Sequence, residues 1–379
     1  MSAFPPYPIR AEITHPIDWV RLGAGALRLA LGASATRPQR LGPSLRRAVH
    51  LLGREKFRRA EILHLGLLVG ETTGERGLAR PVSAVSRRAM ERIAAALNPV
   101  DARSPVRDKG EFHRACEARG LPVPALVAVC RPDRPARGRD GSSLHDVADL
   151  RRLVERECPE RFVVKPIRGG YGVDVRIFTR LSERRFVDGR GVETSSAEIV
   201  AWMRRAGASR GCLIQARLRG APELEQLSGT RSLQTARLLT LLDRDGEPRL
   251  LHAYIKLIAG GNAIDNFQLG STGNLLSQPS LDRGVLGPGL TVVKGRGCVV
   301  VDRHPDTGAV IEGFAIPGWA ALRELALRAA RAFSPLRLVG WDIAPTADGP
   351  VLIEGNWNPD PPNMGGRIER VMAEIERFA

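Results

Sequence analysis

Lysine is scarce in this sequence. Only five of its 57 basic residues are lysines (Lys56, Lys109, Lys165, Lys256 and Lys294), and none of them follows a glycine. The Gly-Lys step of a Walker A loop is therefore missing, and a P-loop nucleotidase is excluded. The five cysteines, Cys116, Cys130, Cys158, Cys212 and Cys298, are far apart and form no CxxC pair. That argues against a disulfide framework or a zinc ribbon and fits a reducing, cytoplasmic setting. No HExxH pair and no GxSxG elbow occur, and "GAGALR" has Arg28 where a dinucleotide fingerprint needs its third glycine. Long apolar runs are also lacking. The most apolar N-terminal stretch, Trp19 to Ser34, is broken by Arg21 and Arg28, unlike a signal peptide or a spanning helix, so a soluble protein is expected.

What is present suits a large ordered protein. The 379 residues are 43% hydrophobic and 26% charged, enough for a deep core and more than one lobe. A net charge of +16 favours anionic partners. Part of that excess reflects arginine-rich coding, so charge alone is a weak case for nucleic acid and leaves peripheral membrane contact open. Residues 1–105 read as a helical N-terminal region, with Leu, Ala and Arg recurring at spacings of three and four from Pro16 to Leu97. A new domain, 106–379, opens after "NPVDARSPVR", where Asp108 and Glu111 have capping-box spacing at the head of "KGEFHRACEAR". Strand and helix patterns then alternate. "WAALRELALRAARAF" places Leu322, Leu325, Ala329 and Phe333 on one helix face.

The most informative segment is "LRLVGWDIAPTADGPVLIEGNWNPD", two β-patterned runs joined by a turn. A three-residue loop with Gly349 left-handed puts Asp342 opposite Glu354, with Asn356 two places on along the same face. Two carboxylates across a ladder repel unless a cation lies between them, and an oxygen-only set suits Mg2+ or Mn2+ holding a polyphosphate. A solvated hairpin face is the competing reading, disfavoured because both runs otherwise look buried. In "FVVKPIRGGYGVDVRIF", Lys165 and the loop of Gly169, Gly170 and Gly172 could close over phosphates, although a plain hairpin turn is as common. Lys109 lies at a helix N-terminus, where anions are favoured, or is simply a surface lysine. A four-residue loop from Asp245 to Pro248 makes Arg237 face Lys256, two like charges that need an anion between them. In "GGNAIDNFQLGSTGN", Asp265 and Asn266 could reach a phosphate or metal, or only serve the turn.

Taken in order, Lys109 in "DKGEF", Lys165 with its glycine loop, "LIQARL", Arg237 in "TARLLT", and Asp342, Glu354 and Asn356 in D-x11-E-x-N resemble an ATP-grasp enzyme. More narrowly, "SLQTARLLT", "DNFQLG", "HPDTG", "AIPGW" and "GWDIAPTADGPVLIEGN" resemble the sugar-transfer associated ATP-grasp family, over about residues 106 to 379. The resemblance implies an α+β fold whose two lobes sandwich ATP, with a hinge near 213–216. It implies that Lys109 and Lys165 hold the phosphates under a Gly169–Gly172 flap. Leu213, Gln215 and Ala216 would lie beside adenine, Gln215 standing where many relatives have Glu, and Glu223 is the candidate ribose acid. Arg237, with Lys256 and Asn266, would serve the transferring phosphoryl group, and Asp342, Glu354 and Asn356 the magnesium ions. A role in cell-surface polysaccharide biosynthesis follows from the same likeness. The leading expectation is a ligase that converts a small-molecule or glycan carboxylate to an acyl phosphate and passes it to an amine. The alternatives are a phosphotransferase acting on a sugar hydroxyl and a non-catalytic basic protein that docks on anionic glycan, lipid or nucleic acid.

Overall fold

The computed structural model describes residues 23–31, 41–53, 57–65, 67, 84–132, 135–169, 172, 174–293, 297–363 and 367–379. Two antiparallel sheets carry the architecture. The first holds β1 (Leu126–Cys130), β2 (Ala136–Gly138), β3 (Ser143–Leu144), β4 (Arg161–Pro166), β5 (Arg176–Arg180), β6 (Arg185–Asp188), β7 (Glu193–Ser195) and β8 (Cys212–Ala216). Its order is β3-β2-β1-β8-β4-β5-β6-β7. One face packs Phe162, Val164 and Phe178 against Leu153 and Val154, and against Ile199 and Met203 of the helix Ser196–Arg210.

The second sheet holds β9 (Ala236–Leu242), β10 (Pro248–Leu257), β11 (Leu275–Pro279), β12 (Leu286–Val293), β13 (Gly297–Val301), β14 (Leu338–Thr346) and β15 (Gly349–Asn356). Its order is β13-β12-β11-β10-β9-β14-β15. The helix Trp319–Ala332 covers one face, and the expected stripe of Leu322, Leu325, Ala329 and Phe333 is buried there beside Trp341. The opposite face is divided. Helices Arg87–Leu97 and Ile368–Phe378 cover one end through Met90, Ala94, Val371 and Ile375, while the other end stays open. Asn98 ties the first of these helices to the sheet: its Oδ1 accepts from Arg337 N and Leu338 N, and its Nδ2 donates to Leu338 O and Trp357 O.

Two expected hairpin registers are altered by bulges. The β14–β15 turn has two residues, Ala347 and Asp348, since Thr346 pairs with Gly349. Ile353 is then extra, and this restores Asp342 opposite Glu354. In β9–β10 the turn is longer than expected, Leu242 pairs with Pro248, and Leu251 is extra. Arg237 therefore lies opposite Tyr254 instead of Lys256. The described part of the N-terminal region is helical, with Leu41–Gly53 and Arg59–His64 sharing a small core that includes Ala48, Leu51, Phe57 and Ile62. No helix among the described residues is long and apolar enough to cross a membrane.

Candidate functional site

A cavity of about 810 Å³ opens between the sheets and is lined by residues of both. On the second sheet, direct pairing sets Glu354, Asp342, Arg237 and Tyr254 in one row across β15, β14, β9 and β10. Side chains at paired positions share a face, so all four point to the same side. Glu354 reaches it because of the bulge: Leu352 belongs to the core on the far face, and without the extra Ile353 the acid two places on would follow it there.

Asp342 is the hub of the row. Arg237 donates to both of its carboxylate oxygens, from Nε to Oδ1 and from Nη2 to Oδ2, the latter at 2.9 Å. Lys256 Nζ reaches Oδ2 at 3.3 Å and Asp265 Oδ2 at 3.4 Å. Burial by itself would raise the Asp342 pKa, but the two cations outweigh it and hold the group down at about 2. Burial likewise acts to lower the pKa of Lys256 and of Arg237, and the facing carboxylates reverse it, so both stay charged. Asp265 is raised by burial despite Lys256, and its carboxylate accepts from Thr235 N and Oγ1 at 2.8 and 2.6 Å. The anion expected between Arg237 and Lys256 is thus a carboxylate of the protein, delivered by β14. Gly340 allows the contact, since a Cβ there would meet Arg237 Cδ at 3.0 Å.

Lys165 comes from the other sheet, on β4. It is 7% exposed, and its ammonium makes no hydrogen bond or ion pair among the described residues. Burial first, and then the neighbouring Lys109, lower its pKa to about 8 against the pull of Glu354 and Asp342. Lys109 follows the N-cap Asp108, whose side chain accepts from Gly110 N and Glu111 N. Glu111 turns away from the cap to accept from Ser104 Oγ at 2.6 Å, so only half of the expected box forms. Lys109 Nζ donates to Gly169 O at 2.6 Å and lies 3.7 Å from Glu354 Oε2, linking the glycine loop to β15. Gly172 has φ +67°, and a Cβ there would approach Ile264 at 3.1 Å, so the loop lies close against the Ala263–Asn266 segment. Gly170 lies outside the described residues.

The cavity wall includes Lys109, Lys165, Gly169, Gly172, Gln215, Ala216, Arg237, Lys256, Asn266, Asp342, Glu354 and Asn356. Two candidates fall outside it. Leu213 shares the face of Gln215 on β8 but is covered by Val129 and Ile167, and Glu223 is exposed on the helix Pro222–Ser228. Beside Gln215 and Ala216 the wall is apolar, formed by Val163, Ile177, Leu218 and Leu233, a setting for a flat ring. Sequence reasoning missed His252, Tyr254 and the N-terminal contribution of Arg58, Glu61 and Leu65. The alternation of "LLHAYIKL" could have flagged the first two, but nothing local marks the last three.

The donor set fits a hard divalent cation. Among the described residues, Asp342 Oδ1 accepts only from Arg237, Glu354 has a single cation at 3.7 Å, and Asn356 spends its Nδ2 on Gly340 O at 3.2 Å, which leaves its Oδ1 uncommitted.

No curated relative matches the chain. Among solved structures it is similar to D-cycloserine synthetase, with 18% identity over 77% of this chain and 78% of that one, TM-score 0.40. It is also similar to an L-amino acid ligase from Bacillus licheniformis, with 14% identity over 72% and 45% and TM-score 0.39. A biotin carboxylase from Campylobacter jejuni gives 11% identity over 77% and 52%, TM-score 0.44. The chain spans about half the length of the last two. Residues 88–365, well over half of the sequence, match the sugar-transfer associated ATP-grasp model, and the protein belongs to that family.

Proposed function

We propose that the protein is an Mg2+-dependent ligase that uses ATP to activate a carboxylate as an acyl phosphate, which an amine then attacks. The observation that carries this reading is Lys165: a buried ammonium without a protein counter-ion, facing across the cavity the oxygen ligands Asp342, Glu354 and Asn356. A polyphosphate supplies what both sides lack. Its oxygens would neutralise Lys165 and Lys109, and Asp342, Glu354 and Asn356 would hold the divalent cation that neutralises the rest of its charge. The adenine ring fits the apolar end at Gln215 and Ala216, which leaves the terminal phosphate over the Glu354–Asp342–Arg237 row.

Bound there, Mg2+ would draw charge from the β- and γ-oxygens and screen the attacking carboxylate from the acids below it. Arg237 and Lys256 are held rigid by Asp342, so they face the transferring group without reorganising. No covalent nucleophile of the protein is needed. The family likeness places this activity, in our reading, in cell-surface polysaccharide biosynthesis.

The test is an ADP-release screen over carboxylate and amine pairs, with hydroxylamine present to trap an acyl phosphate. Trapped hydroxamate supports the ligase, whereas a stable phosphorylated glycan would assign the same site to a phosphotransferase. Glu354→Gln and Lys165→Ala are the inactive controls. Turnover unaffected in Glu354→Gln would remove the metal assignment.

A further inference from the structure

Two bulges interrupt the second sheet beside the cavity. The one at Ile353 turns Glu354 onto the cavity face. The one at Leu251 does the same for His252, a residue with no part in the chemistry above. Leu250 lies opposite Thr240 and packs toward the core under the helix Trp319–Ala332. In a regular strand His252 would follow it by two places and share that buried face. The inserted residue sends His252 to the other side, in line with Tyr254 and Lys256, where it lines the cavity. Bulges of this kind re-aim side chains next to sites.

His252 is 2% exposed, its Nδ1 is buried without a partner, and neither ring nitrogen makes a hydrogen bond among the described residues. Burial, then the nearby Arg367, hold its pKa down to about 3, so the ring is neutral. A polar group left unpaired in the interior is destabilising; Nδ1 is closed off, so Nε2 is the ring nitrogen that a ligand in the cavity would satisfy. A second orphan, Asn358 Oδ1, is on the segment after β15 that borders the same cavity.

Position separates this group from the metal end. Asn356, Gly340, Leu239 and His252 form the row next to that of Asp342. Three strand spacings of ~4.8 Å put His252 roughly 14 Å from Asn356 along the sheet, beyond reach of a shared ion. On β11, Leu276 and Gln278 also line the cavity, and Arg58 and Leu65 of the N-terminal region add to its wall. A cationic group would meet Arg367, and an anionic one would suit only the tautomer that turns its N–H to the cavity. A hydroxyl, which both donates and accepts, matches either tautomer of a neutral ring.

We propose that His252, presented by the Leu251 bulge, belongs to a second-substrate subsite and hydrogen-bonds an uncharged hydroxyl of the molecule that receives the activated acid. This rests on the ligase reading for the order of events, but its test does not.

The full chain carrying 15N-labelled histidine is titrated with D-glucose, N-acetyl-D-glucosamine and glycerol, and with glutamate and putrescine as charged probes, each with and without Mg·ADP. The His252 ring signals are those lost in His252→Gln. The expected result is that at least one hydroxyl probe moves them and neither charged probe does. His252→Phe should weaken that probe about 3- to 10-fold, the worth of one neutral hydrogen bond. His252→Gln should hold it within about twofold of the native chain, and both variants should keep native Mg·ADP affinity. The subsite is overturned if no hydroxyl probe moves the signals, if a charged probe does, or if the phenylalanine variant binds as the native chain does. Absence of Mg·ADP binding to the native chain would instead sink the nucleotide reading and leave the probe result standing.

Discussion

Two lysines face the same cavity from opposite sheets and live in opposite electrostatic states. Lys256, on the seven-stranded sheet, sits between Asp342 and Asp265 at 3.3 and 3.4 Å and is held charged by them. Lys165, on the eight-stranded sheet, is also deeply set, has no carboxylate within ion-pair distance among the described residues, and is pulled down to about 8. Burial is the first cause acting on both, so the difference comes from the partners. One sheet carries a compensated network that keeps its shape without a ligand. The other presents a charge that no described side chain compensates.

The sharpest way to break this contrast is at Asp342. Asp342→Asn should abolish ADP formation and also destabilise the fold, by about 3–5 kcal/mol, because Arg237 would be left buried without its counter-ion. It is therefore a poor test of metal binding alone. Glu354→Gln is the cleaner change, because that acid has only Lys109 at 3.7 Å. It should lose at least about 100-fold in turnover, as expected when the metal that neutralises the transferring group loses a ligand, with thermal stability nearly unchanged. A thermal scan beside the ADP assay separates the two, and equal destabilisation in both variants would contradict the asymmetry drawn here.

That asymmetry shows how much of the site could be read without coordinates. The partnership of Asp342 and Glu354 is legible from their spacing across a turn, although the expected turn is one residue too long and nothing in the sequence marks the Ile353 bulge. The two errors cancel. In β9–β10 the corresponding errors do not cancel, and Arg237 pairs with Tyr254. A bulge leaves no mark in composition or period, because an extra residue simply shifts which side chains share a face. Register along a hairpin also cannot show that the anion between Arg237 and Lys256 arrives from a third strand some hundred residues later. The helix stripe of Leu322, Leu325 and Ala329 was legible because it is local, set by a 3.6-residue period that no distant contact overrides.

Lys165→Ala tests the other side of the contrast. Mg·ADP affinity should fall about 10- to 100-fold, the worth of a charge-assisted contact in a dry site, measured by calorimetry. Stability should not fall as it does for Asp342→Asn, since the deleted charge had no partner to orphan. The pH dependence follows in sign. The folded pKa of about 8 is below the ordinary 10.5, so between those values the unfolded chain binds the extra proton and stability rises with pH. The penalty is fully present below pH 8 and relieved above 10.5. Nucleotide affinity should move the opposite way, weakening as pH climbs past 8, and this drift should vanish in Lys165→Ala.

The smallest effect is expected at the wall supplied by the N-terminal region. Glu61, 5% exposed on the helix Arg59–His64, accepts from Arg58 N at 2.7 Å and from Arg87 N at 2.8 Å. One carboxylate thus serves the first turns of two helices, the second of which packs against the seven-stranded sheet. Glu61→Ala should cost about 1–2 kcal/mol by leaving both amides unpaired, visible as a lower midpoint in urea. Because Arg58, Glu61 and Leu65 border the cavity without a part in the proposed phosphate contacts, Mg·ADP affinity should stay native while turnover with a full substrate pair falls a fewfold. A matching loss of nucleotide affinity would mean that the wall and the phosphate end move together, and the two halves of the cavity could no longer be treated as separate.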